Sequence, residues 1–314
     1  MIEHNKENTK LKLGIIGFGN GGRLFNGRIA TSTGLFEVVK ILTSNPEKAD
    51  KAREDYPEAT VVSDYSQVLD DPEIDIINIS TPNHLHKELA EKALQAGKHV
   101  VVEKPFTATI EQADALISLA REKNKILTVN HNRRWDSDFR TVKKVIEEKG
   151  LGRIVEYEAH FDRFRNEVSH GWKEKEELAG GGILYDLGSH LIDQALVLFG
   201  RPVEIFANLR IQRENAHVED NFELLMFYPG LKVSLKAGML VKEKGPTYSV
   251  FGTKGTFLKY GIDIQEEDLK AGKKPEKEAV WGKEPKEYWG KLNILEEQTY
   301  MESELGDYRK FYIN

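Results

Sequence analysis

Leu11-Lys12-Leu13-Gly14-Ile15-Ile16-Gly17-Phe18-Gly19-Asn20-Gly21-Gly22 is the stretch on which the reading of this chain turns. Its apolar half has the composition of a buried strand, and Gly17-x-Gly19-x-x-Gly22 follows without a break. Arg23 to Ala30 then changes to helical spacing. Strand, glycine turn and helix in that order form the βαβ entry of a dinucleotide-binding unit. Each glycine has a separate task. Gly17 allows the tight turn, Gly19 lets backbone approach a pyrophosphate, and Gly22 lets the helix close on the strand. The helix N-terminus offers free N–H groups to the anion, with Phe18 and Asn20 in the same turn. The alternative is a flexible surface loop, and the flanking strand and helix favour the cofactor reading.

At 314 residues the chain is long for one core, and two domains are expected, 1–130 and 131–314. Lysine and arginine number 45 against 51 acidic residues, a net charge of −6. That balance carries no electrostatic footprint for nucleic acid or an anionic membrane. The absence of cysteine excludes disulfides, thiolate nucleophiles and thiolate metal sites. No apolar run approaches the ~18 residues of a membrane span. Met1 to Lys10 is polar without an apolar h-region, so it reads as a frayed leader of a cytoplasmic protein rather than a signal peptide.

Further along, Phe36 to Ser44 reads as a second strand, and Pro46 opens a helix that runs to Tyr56. The tip of that strand is where an NAD enzyme places a carboxylate for the ribose 2′-hydroxyl. Here it carries Thr43-Ser44-Asn45, with Lys48 one turn on. Hydroxyl, amide and ammonium suit a 2′-phosphate, so NADP is the expected cofactor, with NAD possible. The competing reading gives the acid's role to Glu47 or Asp50 and leaves Lys48 solvated. Strands are expected at Thr60–Val62, 74–80, His99–Val102 and 126–130, with helices at 84–96 and 110–123. This alternation predicts a parallel, doubly wound sheet whose ligands sit beyond the carboxyl ends of its strands. Ser80-Thr81-Pro82-Asn83, Glu103-Lys104 and Asn130 to Asn132 are such ends, and His84 and His86 read as cap or cofactor-lip residues.

From about His131 the pattern shifts to α+β. A helix over 137–149 and a long strand over 153–164 precede Gly180-Gly181-Gly182, which opens a helix over 183–199. Strand-like runs follow at 203–213, 221–227, 232–237, 247–251 and 256–260, predicting a mainly antiparallel sheet. Residues 265–290 read as a charged loop.

Two groups of residues carry chemistry. Lys104, between Glu103 and Pro105 at a strand end, suits proton transfer beside a cationic nicotinamide. A salt bridge with Glu103 is an equal alternative. In Gly181-Gly182-x-x-x-Asp186-x-x-x-His190 the acid and the imidazole share one helical face. A carboxylate there sets the imidazole tautomer and raises its basicity. A buried structural pair and two metal ligands are the other readings, and metal is disfavoured without a thiolate.

Together, the glycine turn, Glu103-Lys104-Pro105 and Gly181-Gly182-x-x-x-Asp186-x-x-x-His190 resemble the Gfo/Idh/MocA family, over Gly14 to about Lys310. The resemblance implies a catalytic set of Lys104, Asp186 and His190, and a bond before Pro105 that is often cis. It also implies an open sheet used for oligomerisation, as a homodimer or homotetramer. His131-Asn132-Arg133-Arg134-Trp135-Asp136, Tyr185-Asp186-Leu187-Gly188-Ser189-His190, Gln212 to Ala216 and Lys259 to Asp263 are similar to NADP-dependent scyllo-inositol dehydrogenases. Family members usually continue beyond Tyr308-Arg309-Lys310 with further helices, whereas this chain ends at Asn314.

The expected activity is hydride transfer between NADP(H) and a secondary alcohol or ketone of a cyclic polyol or sugar. Asn132 and Arg134 are expected at the cofactor. Tyr157, His160, Arg163, Tyr185 and Gln194 are candidate hydroxyl readers beside Lys104, Asp186 and His190. A cofactor-retaining hydrolase or epimerase and a non-catalytic NADP sensor are the rival classes.

Overall fold

The computed structural model describes residues 10–148, 150–168, 180–278 and 280–314. The expected leader lies almost wholly outside them, as does most of the polar loop before Gly180. The chain divides into two compact units. The first is the chain through Asn130 with Asp268–Glu278 and Tyr308–Asn314, and the second is His131–Glu267 with Ala279–Asp307. Two segments that the sequence placed in a C-terminal domain therefore lie with the first unit.

The first unit is built on six strands: β1 (Leu11–Ile16), β2 (Phe36–Leu42), β3 (Thr60–Val62), β4 (Ile76–Ile79), β5 (His99–Val102) and β6 (Leu127–Val129). They are all parallel, in the order β3-β2-β1-β4-β5-β6. β4 is buried at every position, and β1 and β5 nearly so. Continuous rather than alternating apolar runs have this cause: helices cover both faces of a parallel sheet. Register then aligns the strand ends. Ile16 pairs with Ile79, Ile79 with Val102, and Val102 with Val129. The residues that follow each strand continue the ladder. Ser80 N donates to Ile16 O (2.8 Å), Glu103 N to Ile79 O (2.9 Å) and Asn130 N to Val102 O (2.8 Å). The expected convergence of Gly17, Ser80, Glu103 and Asn130 follows from this register. The terminal helix Lys310–Ile313 packs Phe311 and Tyr312 against the cluster of Leu13, Phe36 and Val38.

The second unit is an eight-stranded sheet of β7 (Ile154–His160), β8 (Glu204–Arg210), β9 (Asn221–Tyr228), β10 (Leu231–Gly238), β11 (Tyr248–Gly252), β12 (Gly255–Lys259), β13 (Gly290–Ile294) and β14 (Glu297–Met301). Its order is β14-β13-β12-β11-β7-β10-β9-β8, and β7–β10 is the one parallel pair. Helices Ser137–Glu147 and Ser189–Phe199 bury Val142, Val145, Leu191 and Ala195 in the same cluster as Tyr157, Leu224, Val233 and Val250. The loop expected over 265–290 contains a short helix, Gln265–Lys270, and ends at the β13–β14 hairpin, which the sequence reading lacked. Among the described residues no helix is long and apolar enough to cross a membrane.

Candidate active site

The glycine turn after β1 has the sterics its sequence requires. Gly17 has φ +88°, and a Cβ there would stand 2.5 Å from Ser80 O. A Cβ on Gly22 would lie 2.0 Å from Gly17 O, so helix and strand touch backbone to backbone. Gly19 is different: an added Cβ meets open space, with the Lys48 ammonium 4.0 Å away. The following helix starts earlier than its periodicity suggested, at Gly21, and is π-helical over Gly21–Arg28 before an α-helical end at Ile29–Ser32. Asn20 caps it without a side-chain hydrogen bond, and although Arg23 N donates to Gly19 O (2.8 Å), no cap side chain competes with an outside acceptor for the earlier amides. An open cradle over Gly19, undirected amides and an adjacent cation fit a dinucleotide phosphate.

At the tip of β2, Asn45 Oδ1 accepts from Lys48 N (3.0 Å) as the N-cap of helix Pro46–Asp55. Its carbonyl is thereby committed to the helix. Ser44 is exposed, and Lys48 is the residue here that reaches toward Gly19. Asp50, one of the acids considered for the ribose, pairs with Arg53 at 2.8 Å.

The loops after β4 and β5 are fixed to each other. Ser80 Oγ donates to Asn78 Oδ1 (2.7 Å). Pro82 leads into a 3₁₀ turn, Asn83–Leu85, in which Asn83 is buried and His84 exposed. His86 is fully buried, with Nδ1 2.9 Å from Pro105 O and Nε2 2.9 Å from Thr81 O. Burial pushes its pKa down, against the pull of the two carbonyls. It clips the two loops together. Lys104 is half-buried, its peptide bond to Pro105 is cis, and its N–H donates to Glu103 Oε2 (3.2 Å). Glu103 Oε1 accepts from Asn26 Nδ2 (2.6 Å) and Asn130 Nδ2 (2.8 Å). The loop carrying the lysine is thus gripped from both sides, by His86 and by Glu103.

In the second unit, Gly182 has φ +82°, and a Cβ there would collide with the Glu219 carboxylate at 2.0–2.2 Å. Glu219 Oε1 accepts from Leu184 N (3.3 Å) and its carbonyl from Ile183 N (3.1 Å), which starts the helix. Burial raises the Glu219 pKa. The expected α-helix opens with a π-helical turn, Leu184–Gly188, before Ser189–Phe199. Tyr185 and Asp186 are half-buried on it. His190 is buried, edge-on to Phe161 at 6.3 Å between ring centroids. Arg163 lies within electrostatic reach of Asp186, and burial lowers its pKa. His160 Nδ1 sits 3.2 Å from Asp162 Oδ2.

The remaining expected residues lie in the second unit. Asn132 and Arg134 lie in the 3₁₀ turn Asn132–Trp135, where the Arg134 fork grips Asp193 at 2.8 and 2.6 Å. Tyr157, expected to read hydroxyls, is fully buried and edge-on to Phe199 at 5.3 Å, which makes it a core residue. Gln194 is 1% exposed, donating to Arg133 O (3.0 Å) and accepting from Tyr248 (3.0 Å), so its amide is spent inside the unit. Asn26, Tyr312 and Glu219 were not singled out by sequence. Asn26 had a faint signal, as a polar residue on the buried side of a helix.

These units match known proteins. The profile described as an oxidoreductase family with an NAD-binding Rossmann fold covers residues 11–131, and the GFO/IDH/MocA C-terminal domain covers 139–258. The chain belongs to the Gfo/Idh/MocA oxidoreductase family. It is 43% identical over 295 residues to scyllo-inositol 2-dehydrogenase (NADP(+)) IolW of Bacillus subtilis, covering 94% of this chain and 81% of that one. The uncharacterized oxidoreductase YdgJ of Escherichia coli is 41% identical, over 96% of this chain and 86% of its own. Among solved structures, yvaA from Bacillus subtilis superposes with a TM-score of 0.93 at 41% identity, covering 98% of this chain and 88% of that one.

Proposed function

We propose that this oxidoreductase is an NADP(H)-dependent dehydrogenase acting on a secondary alcohol of a cyclic polyol or sugar, in the manner of an inositol dehydrogenase. The observation that carries the reading is Lys104, half-buried at the carboxyl end of β5 and clamped through Glu103 and His86 in the unit that bears the glycine turn. Ordering a lysine loop with this many buried polar contacts costs conformational entropy that a solvated lysine would keep. The Lys48 ammonium beside open space at Gly19 supports a dinucleotide phosphate, the acid-free tip Thr43-Ser44-Asn45 supports a 2′-phosphate, and the likeness to IolW supports both cofactor and substrate class.

When bound, the nicotinamide supplies the hydride acceptor or donor. The chain does the rest. The first-turn amides from Gly21 and the Lys48 side chain hold phosphates. Asp186 orients His190, and His190 and Lys104 are the groups that exchange and stabilise the hydroxyl proton. A chain that only sensed the dinucleotide would need none of these three. The test is a panel of inositols, inososes and sugars assayed by nicotinamide absorbance with NADP(H) and NAD(H). Turnover of a cyclic polyol with an NADP preference is expected. Tightly retained cofactor with no net absorbance change would favour an epimerase or hydrolase instead.

A further inference from the structure

A hydrogen-bonded chain inside the first unit joins the helix Lys310–Ile313 to the lysine loop. Tyr312, in the helix Lys310–Ile313, directs its hydroxyl to Asn26 Oδ1 at 2.5 Å, across 286 residues of sequence. Asn26 is fully buried in the π-helical turn. Its Nδ2 reaches Glu103 Oε1 (2.6 Å) and Gly21 O (3.0 Å), with Ser80 Oγ at 3.4 Å. Asn130, 1% exposed, donates to both Asn26 Oδ1 (3.2 Å) and Glu103 Oε1 (2.8 Å). Glu103 Oε2 then accepts the Lys104 N–H.

The chemistry of this chain has a direction. A phenol whose pKa is driven well above 10, first by burial and then by the nearby Glu103 carboxylate, stays protonated and keeps the proton it donates to Asn26 Oδ1. With Tyr312 and Asn130 both donating to Oδ1, the Asn26 amide is forced to turn its N–H₂ toward Glu103 and Gly21. A flipped amide would set its oxygen against a carboxylate. The packing of Tyr312 is separable from this role: its ring is edge-on to Phe36 at 5.2 Å and to Phe311 at 5.0 Å. A phenylalanine would satisfy both contacts. The hydroxyl has a purpose beyond packing.

We propose that Tyr312 is a positioning residue for Lys104: through Asn26 it fixes the Glu103 carboxylate that holds the lysine's backbone, so the helix Lys310–Ile313 sets the geometry of the reacting lysine. The inference rests on the reading of Lys104 as a group of the reaction. It implies that a residue bonded to Asn26, and not to Lys104 itself, governs turnover while leaving cofactor binding and packing nearly alone.

The test compares the parent with Tyr312→Phe, Lys104→Ala and the double variant in the full chain. It measures NADPH affinity by nucleotide fluorescence, melting temperature, and kcat and KM for a polyol that the parent turns over. Tyr312→Phe should lower kcat about tenfold and displace its pH profile, with KM and NADPH affinity within threefold of the parent. In the Lys104→Ala background the same change should lower kcat less than twofold, because its target is gone. A full tenfold loss in both backgrounds overturns the proposal. So does parental kcat in Tyr312→Phe, or a kcat loss matched by equal losses of NADPH affinity and melting temperature. If Lys104→Ala itself keeps parental turnover, the reading of Lys104 fails, and this proposal with it. That outcome is distinct from a crippled Lys104→Ala beside a parental Tyr312→Phe. Should Tyr312→Phe not fold, Glu103→Gln interrupts the same chain and is judged by the same cycle.

Discussion

Removing the Lys48 ammonium should separate the two nicotinamide cofactors. Its Nζ lies 4.0 Å from the point where a Cβ on Gly19 would stand, and that space is otherwise open. A unit charge pair at 4 Å is worth about 1 kcal/mol in bulk water and about 4 kcal/mol at an effective dielectric of 20. Lys48 is exposed, so the lower figure governs. A phosphate monoester carries about 1.5–2 negative charges at neutral pH, which brings the interaction to about 1.5–2 kcal/mol. Lys48→Ala should therefore weaken NADPH by roughly 10- to 30-fold. NADH, which lacks the 2′-phosphate, should move less than about threefold. Fluorescence titration of each reduced cofactor measures both constants. Repeating it at raised salt should narrow the difference between parent and variant for NADPH, since exposed charges are screened. Equal weakening of both cofactors would place Lys48 on a phosphate common to the two and refute the 2′-phosphate assignment. No change in either would remove Lys48 from the site altogether.

Ser44→Asp should reverse the cofactor preference by setting a carboxylate at the β2 tip, and unchanged selectivity in the same titration would count against that tip as the ribose site. Gly19→Val should abolish NADPH binding while circular dichroism stays parental, because its side chain fills the open cradle. Lys104→Ala and His190→Ala should each lower kcat by about 10²- to 10⁴-fold, and Asp186→Asn by less. Near-parental turnover in all three would leave them as structural residues. Asp138 is fully buried in the second unit, and burial, then Glu284 and Asp263, push its pKa up to about 7. Unfolded, it titrates near its ordinary value of 3.8. The folded state therefore keeps the extra proton between about pH 4 and 7, and stability falls as pH rises through that window, by at most about 4 kcal/mol. Asp138→Asn should flatten this decline in denaturant titrations from pH 5 to 8, and an unchanged slope would show that Asp138 is not its source.

What was legible in the sequence was what local pattern encodes. β1 and β4 announced themselves because a sheet covered on both faces needs unbroken apolar runs. Thr60–Val62 and His99–Val102 were placed to the residue. Gly17 and Gly22 were legible because nothing larger fits. The misses arise where side-chain direction or long-range contact decides. Tyr157 alternates along β7 between faces, and only the packing of Phe199 and Tyr248 shows that it points into the core. Gln194 reads as a polar helix residue until Tyr248 and Arg133 occupy both ends of its amide. β14 has four exposed residues out of five, so its sequence, Glu297-Gln298-Thr299-Tyr300-Met301, carries no alternation to find. Neither π-helical turn has a periodicity signature in so short a span.

The way the chain is divided between its units has a consequence for how the protein is made. It leaves the first unit after Asn130, returns for Asp268–Glu278, leaves again, and comes back at Tyr308–Asn314. A ribosome that has just released Asn130 has therefore synthesised a Rossmann sheet whose Phe36 still lacks the aromatic cover of Tyr312. That cover arrives only once Tyr308 to Tyr312 have been translated. The loop closed by Tyr312 and Asn26 spans nearly the whole chain, so this contact forms late and adds little to early folding. A nascent fragment ending at Asn130 should thus bind chaperones and proteases more readily than a chain that has reached Asn314, and deleting Tyr308–Asn314 would uncover the first unit, not the second.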